Sequence, residues 1–221
     1  MKIFLIENFF SKDDLLKIQK IICDKFLLEF NLDYDKNLKE FNKYLKSLNN
    51  KKLSLLYDSL NSSTKLRKFI SHNRFFTNRL KKKLKMKRLR FFNFQLLLMK
   101  PKSNKENLGW HTDSYYFSKF KKKGFVIYFN IMNENRNSID VVKNTKFDDL
   151  EFKENVFYRR KKTKLNQRGH YYIKNNFRKN QITSCKLNTY DLLVFDKDLV
   201  HKSAKSTFVG FRMTYIIRLS N

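Results

Sequence analysis

Proline occurs once in this sequence and glycine four times, and no stretch reads as a Pro/Gly/Ser-rich linker, an internal repeat or a low-complexity tail. There are two cysteines, Cys23 and Cys185, far apart and in no CxxC pair. That excludes a disulfide framework and points to a reduced, intracellular protein in which both thiols serve as packing residues. Long apolar runs are missing too. None approaches the ~18 residues of a membrane span, and the opening "MKIFLIENFFSKDDLL" is interrupted at Glu7 and Asn8 too soon for a signal peptide. The expectation is a cytoplasmic protein with no membrane span. Acidic residues are the other shortage: 20 Asp and Glu stand against 49 Lys and Arg, a net charge of +29.

What is abundant is large and apolar. With 41% hydrophobic residues, including 23 Phe and 11 Tyr, the chain can fill a core, and a disordered polyelectrolyte is excluded. Its 221 residues fit one domain, 1–221. The positive charge favours nucleic acid, anionic lipid or acidic small molecules as partners through long-range attraction. Against a dedicated function for it, lysine is spread along the whole chain, as a general compositional bias would spread it.

The chain changes character near residue 90. Before it, "FFSKDDLLKIQKIICDKFLLEF" offers Ser11 as an N-cap, Asp13 and Asp14 in the first turn, and Leu15, Ile18, Ile22 and Phe26 on one face, which predicts a helix of about five turns. "LSLLYDSLNSSTKLRKFISHN" predicts two short helices broken near Asn61 to Ser63. From Arg90 onward come short strand-like runs: "RFFNFQLLLMK", "FVIYFNIM", "SIDVVK", "GHYYIKN", "QITSCKL", "DLLVFD" and "FRMTYIIRL". Helices followed by many short strands predict a mainly β (α+β) protein. Its core, 90–221, would be a sandwich or jelly roll, with a mostly helical part, 1–89, packed outside it.

The stretch "GWHTDSYYF", Gly109 to Phe117, sets one of only four histidines two residues from an aspartate. In an extended strand such positions share a face, so His111 and Asp113 could reach one point. His201 follows the "DLLVFD" strand 90 residues later, and Arg212 lies eleven beyond it. If the jelly roll brings His201 to His111 and Asp113, two imidazoles and a carboxylate meet, the set that leaves open positions on non-heme Fe(II).

On these residues the chain resembles the Fe(II)/2-oxoglutarate-dependent dioxygenases, and within them the phytanoyl-CoA dioxygenase family. The resemblance is carried by "WHTD" at Trp110 to Asp113, by "HKSAKSTFVGFR" at His201 to Arg212, with Ser203 in an HxS position, and by the interval between them. "DLLVFDKDLVHKSA" is similar to the family's GDL block with Tyr190 where glycine is usual. "NENRNSIDVVKNTK" is similar to its asparagine-glycine stretch, with Asn137 replacing the glycine and "VKNTK" replacing a proline-glycine turn.

The resemblance implies a double-stranded β-helix (jelly roll, cupin-like) holding Fe(II) on His111, Asp113 and His201, with 2-oxoglutarate and O2 as co-substrates. Arg212 would grip the distal carboxylate of 2-oxoglutarate as a bidentate fork, beside the Ser203 hydroxyl. Gln95 or Lys100 could add a polar contact, depending on strand phase. The activity implied is oxidation of a C–H bond, by default hydroxylation, of a small anionic organic substrate, with release of succinate and CO2.

Two other readings compete. A nucleic-acid-directed oxygenase is favoured by the charge, by the basic runs Arg79–Arg90 and Tyr158–Arg168, and by the Arg212/Arg218 pair, which is similar to the RxxxxxR of AlkB-type demethylases. The long interval between the two histidines argues against it. A basic nucleic-acid-binding protein without catalysis leaves the five site residues unexplained. His72 and His170, with no partner at ligand spacing, read as ordinary histidines, and Trp110 as either a site-lining or a core residue.

Overall fold

The N-terminal helices form where local chemistry dictates. In this computed structural model, which describes residues 2–99, 109–116, 123–132, 137–143, 145–156, 169–204 and 211–220, helix α1 (Lys12–Phe26) starts at Ser11. The Ser11 side chain accepts from the Asp14 N–H while the Asp14 carboxylate accepts from the Ser11 N–H, a capping box. Leu15, Ile18 and Ile22 are buried as the periodicity requires, and the helix runs about four turns rather than five. It ends at Leu27 in the left-handed region. The break at Asn61 to Ser63 separates α3 (Asn50–Asn61) from α4 (Thr64–Ser71), with Ser63 capping α4 through the Leu66 N–H. Two further helices complete the layer: α2 (Tyr34–Ser47), capped by Asp33, and α5 (Arg74–Leu84), capped by Asn73. Among the described residues no helix is long and apolar enough to cross a membrane.

Strands β1 (Ile3–Ile6), β2 (Arg90–Met99), β3 (Gly124–Met132), β8 (Leu192–Asp196) and β10 (Arg212–Ser220) form a five-stranded antiparallel sheet in the order β1-β8-β3-β10-β2. A second antiparallel sheet, β7-β4-β9, is made of β4 (Asn137–Val142), β7 (Ile182–Leu187) and β9 (Val200–Ser203). Strands β5 (Phe152–Val156) and β6 (Gly169–Ile173) pair separately.

The period-2 alternation of the large sheet divides its residues between two cores. Phe125, Ile127, Phe129, Leu192, Val194, Met213, Tyr215, Ile217 and Leu219 face the helices and pack with Leu15, Ile18, Phe41 and Leu66. Val126, Tyr128, Leu193, Phe195 and Ile216 face the other way, onto Ile139 and Val141 of β4 and Leu187 of β7. The result is a jelly roll with helices on the outside of one sheet, the α+β architecture expected. Cys23 is buried in α1 and Cys185 packs against the inter-sheet core, so both thiols do serve packing.

Helices also reach the strand ends. Among the described residues strand β2 is an edge, which would leave a backbone donor and acceptor exposed to pairing. The Asn61 side-chain amide occupies that place at Leu96, accepting from its N–H at 2.7 Å and donating to its C=O at 3.3 Å. From α2, the Tyr34 hydroxyl donates to the Ile131 carbonyl at 3.0 Å, and Asn42 Oδ1 accepts the Phe211 N–H at 3.0 Å, just before β10 begins.

Candidate metal centre

The segment carrying the HxD triplet is held on two sides. His111 and His201 exchange both backbone hydrogen bonds, at 3.0 and 2.9 Å, as an isolated antiparallel bridge that joins the segment to β9. On the other side the Trp110 carbonyl accepts from the Ile173 N–H of β6 at 2.7 Å. His201 therefore does not merely follow β8: it lies on a strand of the opposite sheet, opposite Val141 of β4. The extended geometry expected for the triplet stops at Thr112. Asp113 opens a short helix, α6 (Asp113–Tyr116), pinned by a Ser114 N–H bond to the Lys197 carbonyl at 3.0 Å, and it is this turn that brings the carboxylate round to the histidines.

His111, Asp113 and His201 are all buried, and each offers a ligand atom within 4.8 Å of the others. Their ring and carboxylate environments are complementary to a cation. His111 Nδ1 lies 2.8 Å from the Gly109 carbonyl and His201 Nδ1 2.9 Å from the Leu199 carbonyl. A carbonyl can only accept, so each Nδ1 carries the hydrogen and each Nε2 the lone pair, the tautomer a metal ligand needs. The two rings lie 4.2 Å apart between centroids, and the His201 ring also packs on Phe195 at 4.8 Å. Burial and the neighbouring His201 push His111 down to about 3, and burial lowers His201 as well, so both imidazoles are neutral.

Burial alone would raise Asp113, but the Arg218 guanidinium and the two imidazoles outweigh it and keep the carboxyl below its ordinary range. Arg218 Nη2 donates to Asp113 Oδ1 at 2.9 Å. The other carboxylate oxygen, Oδ2, is buried with no hydrogen-bond partner. An orphaned anionic oxygen is costly unless something else satisfies it. Two Nε2 lone pairs and one spare carboxylate oxygen form a donor set of nitrogen and oxygen suited to Fe(II).

The remaining predicted residues fall as follows. Arg212 opens β10 and is 2% exposed, on the same face of the strand as Arg218. Ser203 lies on β9 two residues after His201, opposite Ile139. Gln95 faces the site, but its Oε1 accepts from Arg218 Nη1 at 2.9 Å. Lys100 lies outside the described residues. Trp110 packs in a small cluster with Phe177, 5.4 Å away, and under the Lys202 ammonium at 4.4 Å, which is a packing role. His72 is exposed at the end of α4, bonded to Ser71, and His170 lies on β6. In the first basic run Arg79 is turned inward, donating to the Phe9 carbonyl at 2.7 Å and stacking over the Phe9 ring, while Lys82, Lys83, Lys85 and Lys87 are exposed. The second run lies outside the described residues.

Sequence reasoning noted Arg218 only as half of an RxxxxxR pair and did not assign it to Asp113. The usable signal was parity: an even spacing of six on a strand puts both arginines on one face.

Solved structures share this fold. The non-heme monooxygenase ThoJ, in its apo form, superposes with a TM-score of 0.60 at 9% identity, covering 97% of this chain and 73% of that one. Its nickel complex gives 0.55 at 8% identity, covering 97% and 72%. EctD from S. alaskensis, with 2-oxoglutarate and 5-hydroxyectoine, gives 0.56 at 10% identity, covering 98% and 71%. No family model matches the sequence, and no curated protein does.

Proposed function

We propose that this chain is a single-domain, non-heme Fe(II)- and 2-oxoglutarate-dependent oxygenase, similar to the phytanoyl-CoA dioxygenases, that oxidises a C–H bond of a small anionic organic substrate. The observation that carries this reading is the buried His111–Asp113–His201 set, with both Nδ1 atoms bonded to backbone carbonyls and Asp113 Oδ2 left without a hydrogen-bond partner. The shared fold with a nickel-bound monooxygenase and with an enzyme holding 2-oxoglutarate supports it.

When bound, Fe(II) with 2-oxoglutarate supplies O2-dependent oxidation coupled to decarboxylation of the co-substrate to succinate and CO2. The chain's own residues do the rest. His111, Asp113 and His201 offer three donors. Arg212, buried at the start of β10, supplies the planar fork for the distal carboxylate of 2-oxoglutarate, a pair of parallel hydrogen bonds that lysine cannot reproduce. Ser203, on the strand of His201, supplies a hydroxyl near that carboxylate. The apolar inter-sheet residues Val126, Leu193, Phe195 and Ile216 exclude water from the sealed side of the site. An anionic substrate suits the +29 charge.

The test is turnover with purified protein, Fe(II) and panels of small organic acids and phosphates. The reading expects at least one compound to couple O2 uptake to stoichiometric succinate. A lesion-containing or single-stranded nucleic acid that couples while no small molecule does would replace the substrate assignment.

A further inference from the structure

We infer that Arg218 is the positioning residue of the metal centre: it occupies Asp113 Oδ1, so that Oδ2 alone is presented to the metal, and Asn93 and Gln95 of β2 hold Arg218 in that pose. This rests on the reading of His111, Asp113 and His201 as the ligand set, and it moves Gln95 from the co-substrate to the support of a ligand.

The guanidinium is divided between two targets. Its Nη2 takes Asp113 Oδ1 at 2.9 Å, while Nη1 is shared by Asn93 Oδ1 at 2.8 Å and Gln95 Oε1 at 2.9 Å. A guanidinium is a donor only, so both amides must turn their oxygens to it. An arginine whose task was to close an ion pair would place two parallel N–H groups on both carboxylate oxygens, the strongest arrangement open to it. Here one arm is spent on β2 instead, and Oδ2 remains buried and without a hydrogen bond. That division leaves one carboxylate oxygen free while fixing the other.

The strand geometry produces the pose. Pairing of β10 with β2 runs Arg218 opposite Asn93 and Leu219 opposite Phe91, so Phe92 is an extra residue in β2 at that point. Such a bulge reverses the facing of everything beyond it. Phe91 packs into the core beneath the helices with Phe94. Asn93 shares the inner face with Gln95 by ordinary alternation and meets Arg218, while the bulge turns Phe91, which unbroken alternation would put on that face, to the helices. Arg218 and Asp113 are 5% and 2% exposed, so the pair is desolvated and its geometry is held by these neighbours rather than by solvent.

Charge alone predicts the opposite consequence. A guanidinium beside a metal ligand repels a divalent cation, so its removal would tighten metal binding if position did not matter. Positioning predicts weaker binding, since outer partners of metal ligands typically contribute about 10–100-fold to affinity.

Trp110 is the only tryptophan and adjoins His111, so quenching of its fluorescence by Co(II) reads the site directly in the intact, metal-free protein. Wild-type protein is expected to bind Co(II) saturably. Arg218→Gln and Arg218→Lys should each weaken Co(II) about 10–100-fold, the lysine failing despite its charge because it cannot divide a fork. Gln95→Leu leaves the ion pair intact but loosens the brace, and should weaken Co(II) by about tenfold. It carries the test if the Arg218 variants do not fold. Melting temperatures of the metal-free variants separate the roles: a merely structural residue lowers the melting temperature and leaves the Co(II) affinity of the folded protein unchanged. Unchanged or tighter Co(II) binding by Gln95→Leu and Arg218→Lys, with wild type binding normally, overturns the role of Arg218 and leaves the ligand set standing. Absence of saturable quenching in wild type overturns the ligand set and this inference with it.

Discussion

Strand β10 has two faces built from one run of nine residues, and they differ completely. Met213, Tyr215, Ile217 and Leu219 enter the core under the helices, where nothing but fit is required of them. Arg212, Thr214, Ile216 and Arg218 line the interior of the jelly roll, where two buried guanidiniums flank a mostly polar row. The outer face stabilises the sheet by removing apolar surface from water. The inner face spends part of that stability on buried charge, since desolvating such groups is costly unless every one is matched. A sheet can hold a reactive site because its other face supplies the fold.

Four changes break or sharpen that contrast. The largest effect should come from the carboxylate proposed as the anionic ligand on the inner side. Asp113→Ala leaves two neutral imidazoles and an uncompensated Arg218, and divalent-metal affinity should fall by more than about 100-fold, beyond the ~10–100-fold of an outer partner, as measured by Trp110 quenching. On the outer face, Ile217→Ala leaves a void at a fully buried position. Denaturant unfolding should show a loss of about 2–5 kcal/mol, while the Co(II) affinity of the folded fraction stays within about twofold of wild type, because the Ile217 side chain enters the core under the helices, on the opposite face of the strand from its neighbour Arg218. A large drop in affinity would show that the two faces are not separable.

Arg212→Ala should spare the metal and weaken 2-oxoglutarate by ~2–5 kcal/mol, about thirtyfold or more in affinity. Arg212→Lys should recover only part, measured by calorimetric titration of the metal-loaded protein. If Arg212→Ala weakens metal and co-substrate equally, the division of labour between the two arginines is wrong.

The faces also differ in how they titrate. His111 and His201 are held neutral in the folded, metal-free protein, below the ~6.5 of an unfolded chain. Above that value neither state binds the proton and stability is unaffected. Below it the unfolded chain takes up protons that the folded one refuses, so stability falls, by up to about 1.4 kcal/mol per pH unit for each histidine. Asp113, held below its ordinary range beside Arg218, adds stability above ~3.9 that is lost as pH falls through its lower folded value. On the outer face the only titrating group described, Tyr215, is pushed up by burial and is silent in this window. Melting curves of metal-free protein should therefore be level from pH 8 to 7 and decline below 6.5. Saturating Co(II) should raise the whole curve without steepening this decline, since the folded imidazoles are already neutral and hold no proton for the metal to displace.

Much of the molecule was legible because its signals are local. Ser11 and Asp14 write a helix start within four residues, and Ser63 marks the break between α3 and α4 in the same way. The meeting of His111, Asp113 and His201 was readable because metal chemistry restricts residue type so strongly. Helix α2 carries local signals of the same kind, Asp33 as a cap and Leu38, Phe41 and Leu45 at helical spacing. The helical turn at Asp113, the bridge of His111 to β9 and the bulge at Phe92 could not be read locally. None is set by the residues next to it alone, and the bulge decides that Phe91 faces the helices and not the site. The contact of Arg218 with Asp113 joins residues 105 positions apart, and nothing in either neighbourhood encodes it.

The central claim, that this centre holds Fe(II) with an open place for a 2-oxo acid, is tested most directly by titrating 2-oxoglutarate into Fe(II)-loaded protein without oxygen and recording the visible absorption. The account predicts a metal-to-ligand charge-transfer band that grows to saturation with 2-oxoglutarate, requires Fe(II) and vanishes in Asp113→Ala. Fe(II)-loaded wild-type protein that develops no band at saturating 2-oxoglutarate would contradict it.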